Sequence, residues 1–320
     1  MLDYLPFLQR LPRYFERRKT AISYGLSFEA YSEIPAINAS VLKEPTAAHM
    51  LHVCCKGHET TPALDNGTLV HAAILEPEKF PSLYIILPDD APRKPSAKQR
   101  NAKKPSAETL AAIEFWDDFN ERAAGRIQVT AEEIDIIEQQ REAVMKHHFA
   151  RTLIEAPGHN EATIETWDDE MQIMRKSRYD RLPGAGASFL LDIKTTRHEL
   201  HPWAILGEVR SRGYHLQARS YLDTLNLASN DKRGQFYFIF VRNEAPYLCR
   251  VFELNEGLPG NNLLTDAGSL LYATDNTQPG RLPMFVNAAR EFMQRIADKH
   301  TDPLGAWEGF ENEQAHLLTP

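Results

Sequence analysis

The sequence predicts a mixed α/β fold: a central β-sheet flanked by helices, with helical additions on its N-terminal side. Three observations carry this. Apolar residues recur at helical spacing up to about residue 156 and then switch to strict alternation at 161–167. From residue 131 onward the elements run helix, three consecutive strands, helix, two strands. The chain of 320 residues, 42% hydrophobic, is long enough for one large domain or two ordinary ones.

Taken in order, Ser40 is the expected cap of a short helix running to about Met50–His52. "LDNGTLVHAAILEPEKF" (64–80) predicts a turn at Asn66-Gly67 and then a compact apolar helix stopped or kinked by Pro77. Residues 91–107, "APRKPSAKQRNAKKPSA", hold six Lys/Arg, three prolines and no acid, and predict an exposed loop or linker. Ser106 caps "AETLAAIEFWDDFNERAA" and Gly125 stops it. Thr130 and Glu133 form a capping box ahead of one long helix ended by Pro157-Gly158.

The alternating stretches "EATIETW" (161–167) and "MQIMRKSRYD" (171–180), separated by Asp168-Asp169, predict a hairpin. "RLPGAGA" is a second turn, and "SFLLDIKTT" the third strand. Residues 202–225 predict a helix with weak points at Gly207 and Gly213. "QFYFIFVR" (235–242) and "PYLCRVFEL" (246–254) are two more strands, and a last helix spans about 283–299 before a polar tail. The expected organisation is an N-terminal extension (1–30), a core domain (31–265) and a C-terminal helix with tail (266–320).

Composition excludes several classes. No segment approaches a membrane span, and the N-terminus mixes Arg, Asp, Glu and Pro where a signal peptide needs an apolar run, so a cytoplasmic protein is expected. Three cysteines (Cys54, Cys55, Cys249) are too few for a disulfide framework and one short of the four thiolates of an iron–sulfur cluster, so no cluster is expected. Cys54-Cys55 with His58 fits no common zinc spacing. The net charge of −8 argues against a passive nucleic-acid binder, but not against an enzyme that gathers carboxylates around metal ions.

The stretch that invites chemistry is "FLLDIKTT" (189–196). Side chains alternate along a strand, so Asp192 and Lys194 share a face while Ile193 takes the other. The short Gly-rich turn before it returns Asp180 to the neighbourhood of Asp192. Two such carboxylates repel unless a proton or cation lies between them, and Mg²⁺ or Mn²⁺ prefers carboxylate oxygens. A neighbouring lysine can orient water or stabilise charge growing on a phosphate. Alone, D-x-K is usually a structural ion pair. Downstream, Gln217 and Tyr221 lie four apart on a helix and so on one face.

"RYD" (178–180), "DIK" (192–194) and "GYHLQARSY" (213–221) together resemble the PD-(D/E)xK nucleases, and within them the RecE-like, exonuclease VIII type branch of phages and prophages, related to the RecB nuclease domain. "NGTLVHAAILEPEKF" (66–80) resembles that branch's upstream motif, G-x-x-x-H followed by L-E-P-E-x-F. The resemblance covers roughly residues 35–255, and "PAINASVLKE" (35–44) matches its Ser-rich helix start only loosely.

That resemblance implies a restriction-endonuclease-like core binding Mg²⁺, with Mn²⁺ as the alternative. It implies Asp180, Asp192, Lys194, Gln217 and Tyr221 as catalytic residues. His71, Asp180, Asp192 and the main-chain carbonyl of Ile193 would hold metal. Glu161 or Glu165 would face the same site. Arg93, Lys94, Lys98, Arg100, Lys103, Lys104 and Arg178 are the expected DNA contacts. The implied activity is 5′-to-3′ digestion of linear double-stranded DNA in recombination or repair, with a strand-annealing partner protein and a ring-like homo-oligomer. The rivals are an endonuclease on the same fold and a DNA-binding protein that has lost catalysis. Of the other histidines, His147-His148 are expected solvated in a charged helix, His198 and His201 exposed at a helix start, and His215 on the DNA side.

Overall fold

The protein is described from a computed structural model covering residues 10–56, 62–256, 268–272 and 281–299. Its nine strands are β1 (Ala21–Tyr24), β2 (Tyr84–Ile86), β3 (Ile127–Val129), β4 (Gly158–Asp168), β5 (Ile173–Pro183), β6 (Phe189–Thr196), β7 (Gln235–Arg242), β8 (Cys249–Glu256) and β9 (Gly268–Tyr272) among the described residues. Seven form one sheet in the order β1-β4-β5-β6-β7-β8-β9, with β6 at its centre; β2 and β3 pair in parallel apart from it. Within the large sheet β6–β7 and β8–β9 are parallel and the other neighbours antiparallel. The expected mixed sheet is therefore present.

The hairpin forms as the alternation predicts. β4 and β5 run in register from Gly158↔Pro183 to Asp168↔Ile173. Asp168 closes the turn: Oδ1 accepts the N–H groups of Glu170 and Met171 at 3.1 and 3.0 Å, and Oδ2 takes Arg175 at 3.1 Å.

Two helical layers cover the sheet. On one face lie α4 (Pro62–Leu75), α7 (Ala131–Lys146) and α8 (His148–Glu155), packed on Leu191, Ile193, Ile239, Val241 and Val251. On the other lie α9 (Pro202–Ser211) and α10 (Tyr214–Ala228), over Leu190, Phe236, Phe238, Phe240 and Phe252. A third core joins Leu11 and Tyr14 to Met50 and Leu51 of α3 (Ala47–Lys56) and to Phe285 and Phe292 of α11 (Arg281–Lys299). β1 and β9 form the two edges of the sheet, and the expected boundary at 265 lies outside the described residues. Among the described residues no helix is long and apolar enough to cross a membrane.

Several expected elements change. Asn38, not Ser40, caps α2 (Ala39–Leu42): its Oδ1 accepts the Val41 N–H at 3.2 Å. Pro45 falls between α2 and α3, which are separate helices. Asn66-Gly67 is not a turn but lies inside α4, because burial of Leu69, Val70, Ala73 and Ile74 outweighs the ~1 kcal/mol that glycine costs a helix. The long helix after Thr130 breaks at His147, which turns extended (ψ 106°) and caps α8 by accepting the Ala150 N–H on Nδ1 at 3.2 Å. The 202–225 helix breaks at Gly213, whose φ of +64° is left-handed.

The basic stretch 91–107 contains a short helix, α5 (Ala97–Arg100), with a Ser96/Gln99 capping box. It leans on α6 (Ala107–Ala123), which starts at Ser106 as expected and ends at Ala124-Gly125, both left-handed. Near the N-terminus, α1 (Phe28–Glu33) is anchored by Lys176 of β5. Its Nζ donates to the carbonyls of Tyr31, Ser32 and Ile34 at 2.8, 3.1 and 2.8 Å and lies 4.6 Å from the Tyr31 ring centre.

Candidate active site

The site begins where two strands stop pairing. β5 and β6 pair only at Arg181↔Leu191. Beyond that point the Asp180 side chain takes the place of a ladder partner, and its Oδ2 accepts the Ile193 N–H at 3.1 Å. The Ile193 carbonyl meets His71 Nε2 at 2.9 Å, and His71 Nδ1 lies 3.3 Å from Asp180 Oδ2. His71 reaches this fork from α4, whose apolar residues pack it against the sheet.

Glu161 completes a donor cluster. One ligand atom each from His71, Glu161 and Asp180 lies within 4.8 Å of the others, the one group of this kind among the described residues. The backbone of Glu161 sits at φ +51°, a left-handed conformation that side-chain-bearing residues seldom adopt. Its Oε2 accepts Arg178 Nε at 2.6 Å, and Arg178 Nη1 donates to the Leu26 carbonyl at 2.8 Å. Arg178, an expected DNA contact, is thus engaged with Glu161. Glu165 is elsewhere, paired with Arg18 at 3.6 Å.

Asp192 and Lys194 lie on the opposite face, side by side as the period of two requires, with Asp192 Oδ2 2.5 Å from Lys194 Nζ. This Oδ2 is buried, and its contact with Lys194 combines charge with a short, poorly directed hydrogen bond. Gln217 Nε2 donates to Asp192 Oδ1 at 2.7 Å. Gln217 Oε1 accepts Lys43 Nζ at 2.8 Å, and both lysines lie near the Tyr214 ring, Lys194 at 4.8 Å and Lys43 at 5.2 Å from its centre. Tyr221 is packed on Tyr179 and Phe236, at ring distances of 5.1 and 6.3 Å, and its hydroxyl is hydrogen-bonded to Gln217. It supports the glutamine from within the core.

Charge orders the cluster. Burial disfavours a charged His71, yet the Asp180 carboxylate outweighs it and raises the ring to about 9. Burial also opposes ionisation of Asp180, but His71 and Lys194 hold it below the usual carboxylate range. Asp192 is pushed up by burial and by the Asp180 charge. Lys43 is pushed down to about 8 by burial and by Lys194. Two carboxylates in one buried site with opposite shifts leave one held ionised and the other short of positive charge.

The donor chemistry fits a hard divalent cation. Two carboxylates, Glu161 and Asp180, converge with an imidazole beside the Ile193 carbonyl, and across the sheet Asp192 keeps one buried oxygen without a well-directed hydrogen bond.

The remaining sequence candidates fall elsewhere. Arg93, Lys94, Lys98, Arg100, Lys103 and Lys104 are exposed; Arg100 pairs with Asp117 at 2.6 Å and Lys94 lies 5.1 Å from the Trp116 ring, both on α6. His198 and His201 are exposed, with His201 capping α9 as a helix start, and His215 Nδ1 lies 3.2 Å from the Val209 carbonyl. Sequence reasoning missed Lys43 and Tyr214. It left Glu161 and Glu165 unresolved, although counting back along the hairpin from Asp168↔Ile173 puts Glu161 opposite Asp180.

Three comparisons bear on this arrangement. No curated protein matches the chain. A crystal structure named "Putative exonuclease", from Eubacterium rectale, is similar over 90% of this chain and 88% of that one, at 14% sequence identity and a TM-score of 0.46. Residues 39–267, which include His71, Glu161, Asp180, Asp192, Lys194 and Gln217, match a PDDEXK-like domain of unknown function (DUF3799). With its forked central sheet, paired aspartates and lysine, the chain belongs to that PDDEXK-like family.

Proposed function

We propose that the protein is a Mg²⁺-dependent deoxyribonuclease that digests linear double-stranded DNA from the 5′ end. The observation that carries this is the fork at Ile193. Its N–H is held by Asp180, its carbonyl faces His71, and its two neighbours are Asp192 on one flank and Lys194 on the other. A binding protein has no need of both carboxylates and the lysine in this arrangement.

His71, Glu161, Asp180, Asp192 and the Ile193 carbonyl are the groups that would hold the cation. Bound there, a divalent ion supplies charge neutralisation at the scissile phosphate and lowers the pKa of water. The chain's own residues do the rest. Lys194, held by Asp192, stands ready to orient the attacking water or to stabilise charge on the phosphate. Gln217 fixes Asp192, and Tyr221 backs Gln217. The exposed basic segment 93–104 offers a path for backbone phosphates. The 5′-to-3′ polarity, the role in phage-type recombination or repair, a strand-annealing partner and a ring-like oligomer all extend the RecE-like resemblance.

The test is end-labelled linear duplex with and without Mg²⁺, using wild type and Asp192→Ala. Metal-dependent loss of label from the 5′ end by wild type alone is the expected result. Rapid cutting of closed circles would replace the exonuclease reading with an endonuclease on the same fold. DNA binding without Mg²⁺ or Mn²⁺ uptake would replace both with a binding role.

A further inference from the structure

We infer that Lys43 is a positioning residue of this site, acting on Asp192 through Gln217; the inference rests on the nuclease reading above. Lys43 stands at the C-terminal end of α2, in the stretch whose sequence gave the weakest match to the family pattern. The fold carries it to the far side of the sheet fork. From there a continuous relay runs Lys43 Nζ to Gln217 Oε1 (2.8 Å), Gln217 Nε2 to Asp192 Oδ1 (2.7 Å), and Asp192 Oδ2 to Lys194 Nζ (2.5 Å).

The chemistry of the relay is directional. An ammonium only donates and a carboxylate only accepts. A primary amide placed between them satisfies both in one orientation and neither when flipped. Lys43 therefore pins the glutamine at its oxygen end while Asp192 pins the nitrogen end. Asp192 Oδ1 is thereby occupied, and Oδ2, the buried oxygen without a well-directed hydrogen bond, is the one left to face Lys194 and a cation.

A second feature, independent of these hydrogen bonds, reserves space for the lysine. Gly213 caps α10 at φ +64°, and a Cβ there would lie 2.9 Å from Lys43 Cγ and 3.3 Å from its Cβ. Only glycine meets both the backbone conformation and the passage of the lysine stem. Nothing comparable is needed for a lysine that merely solvates the surface. Lys43 also lies beside the same Tyr214 ring as Lys194, so the two ammonium groups are brought close despite their repulsion.

The experiment is a double-mutant cycle of Lys43→Met and Gln217→Ala, read in kcat, in KM for linear duplex and in Mn²⁺ affinity by calorimetry without DNA. Lys43→Met is expected to lower kcat by about 10-fold or more with KM within about twofold, and to weaken Mn²⁺ by a similar factor. In the Gln217→Ala background the same change should add less than about twofold, and Lys43→Arg should recover most of the loss. Additive effects overturn the inference. So does a rise in KM that grows with salt, which would make Lys43 a direct phosphate contact. If wild type digests no DNA, the nuclease reading falls and the Mn²⁺ cycle alone decides Lys43. Should Lys43→Met fail to fold by circular dichroism, Lys43→Gln reads the same cycle.

Discussion

Asp180 holds the main-chain N–H of Ile193 at 3.1 Å across two strands that have stopped pairing. A continuous ladder would have consumed both polar groups of Ile193 in backbone bonds. The fork instead assigns the N–H to a carboxylate and leaves the carbonyl to face His71. It also separates the two aspartates onto different faces while keeping them close enough to shift each other's ionisation. The site is a consequence of where the sheet opens.

Truncating either member of the Asp192–Lys194 pair should abolish metal-dependent digestion while leaving the fold intact. Asp192→Ala removes a buried acceptor of Gln217 and the counter-charge of Lys194. Lys194→Ala removes the cation positioned to meet the phosphate. A loss of at least about 10²-fold in kcat is expected for each, with an unchanged circular dichroism spectrum. Activity within a few-fold of wild type in either variant would remove that residue from the site.

His71 should make the metal-free protein's stability fall as pH rises. Burial opposes its charge, but Asp180 lifts the ring to about 9, above its ordinary 6.5. A raised pKa contributes stability that is complete below about 6.5 and lost as pH passes through about 9. A histidine ligand must be neutral, so metal affinity should climb over the same window. Thermal melts of wild type and His71→Gln between pH 6 and 9.5 should converge at the alkaline end. The rise in Tm on adding Mg²⁺ should be larger at pH 9 than at pH 7. A wild-type minus variant difference that stays flat with pH would contradict the ion pair.

The parts of this structure legible in sequence are those set by local rules. Period-two alternation placed Asp192 beside Lys194, and the Asp168 turn fixed the β4–β5 hairpin. The caps at Ser106 and Thr130 lie where serine and threonine precede acids and an apolar face. What escaped is set by distant partners. β1, β2, β3 and β9 are three to five residues long, too short for a period, and exist because a neighbouring strand receives them. Gly67 looked like a turn because only burial of the residues after it makes the helix worthwhile. Lys43 was invisible for the same reason: it meets Gln217 across 174 positions of chain.

Lys176 should prove a larger stability determinant than its position on a strand suggests. Its ammonium donates to the carbonyls of Tyr31, Ser32 and Ile34 at the C-terminal end of α1, which also accept the Ile34 N–H, Arg10 and the Ala36 N–H respectively. Burial pushes its pKa down to about 7, so its charge is maintained against a desolvation cost by those carbonyls and the Tyr31 ring. A folded pKa below the unfolded 10.5 means that this cost is greatest at acid pH and relaxes as pH rises above 7. Lys176→Met fills the space but takes one charged donor from each of the three carbonyls. A loss of about 2–4 kcal/mol in urea unfolding at pH 7 is expected. A change below about 0.5 kcal/mol would show that α1 is held by its apolar contacts alone.

Glu161 and Glu165 lie four apart on β4, and only one of them should matter to metal binding. Glu161 lies in the His71–Asp180 cluster, while Glu165 faces Arg18. Glu161 reaches the cluster through a left-handed backbone at φ +51°, a conformation that costs about 1–2 kcal/mol for a residue with a Cβ. Burial and the Asp180 charge raise its pKa, against the pull of Arg178, so a cation in the cluster would favour the ionised form. Asparagine tolerates the left-handed region, but its shorter arm leaves the cluster. Glu161→Asn should therefore hold stability within about 1 kcal/mol of wild type, strain relief offsetting the lost Arg178 pair. Its Mn²⁺ affinity by calorimetry should drop about 10-fold or more, whereas Glu165→Gln should leave it within about twofold. Equal losses in both variants, or a loss confined to Glu165→Gln, would relocate the ligand four residues along β4.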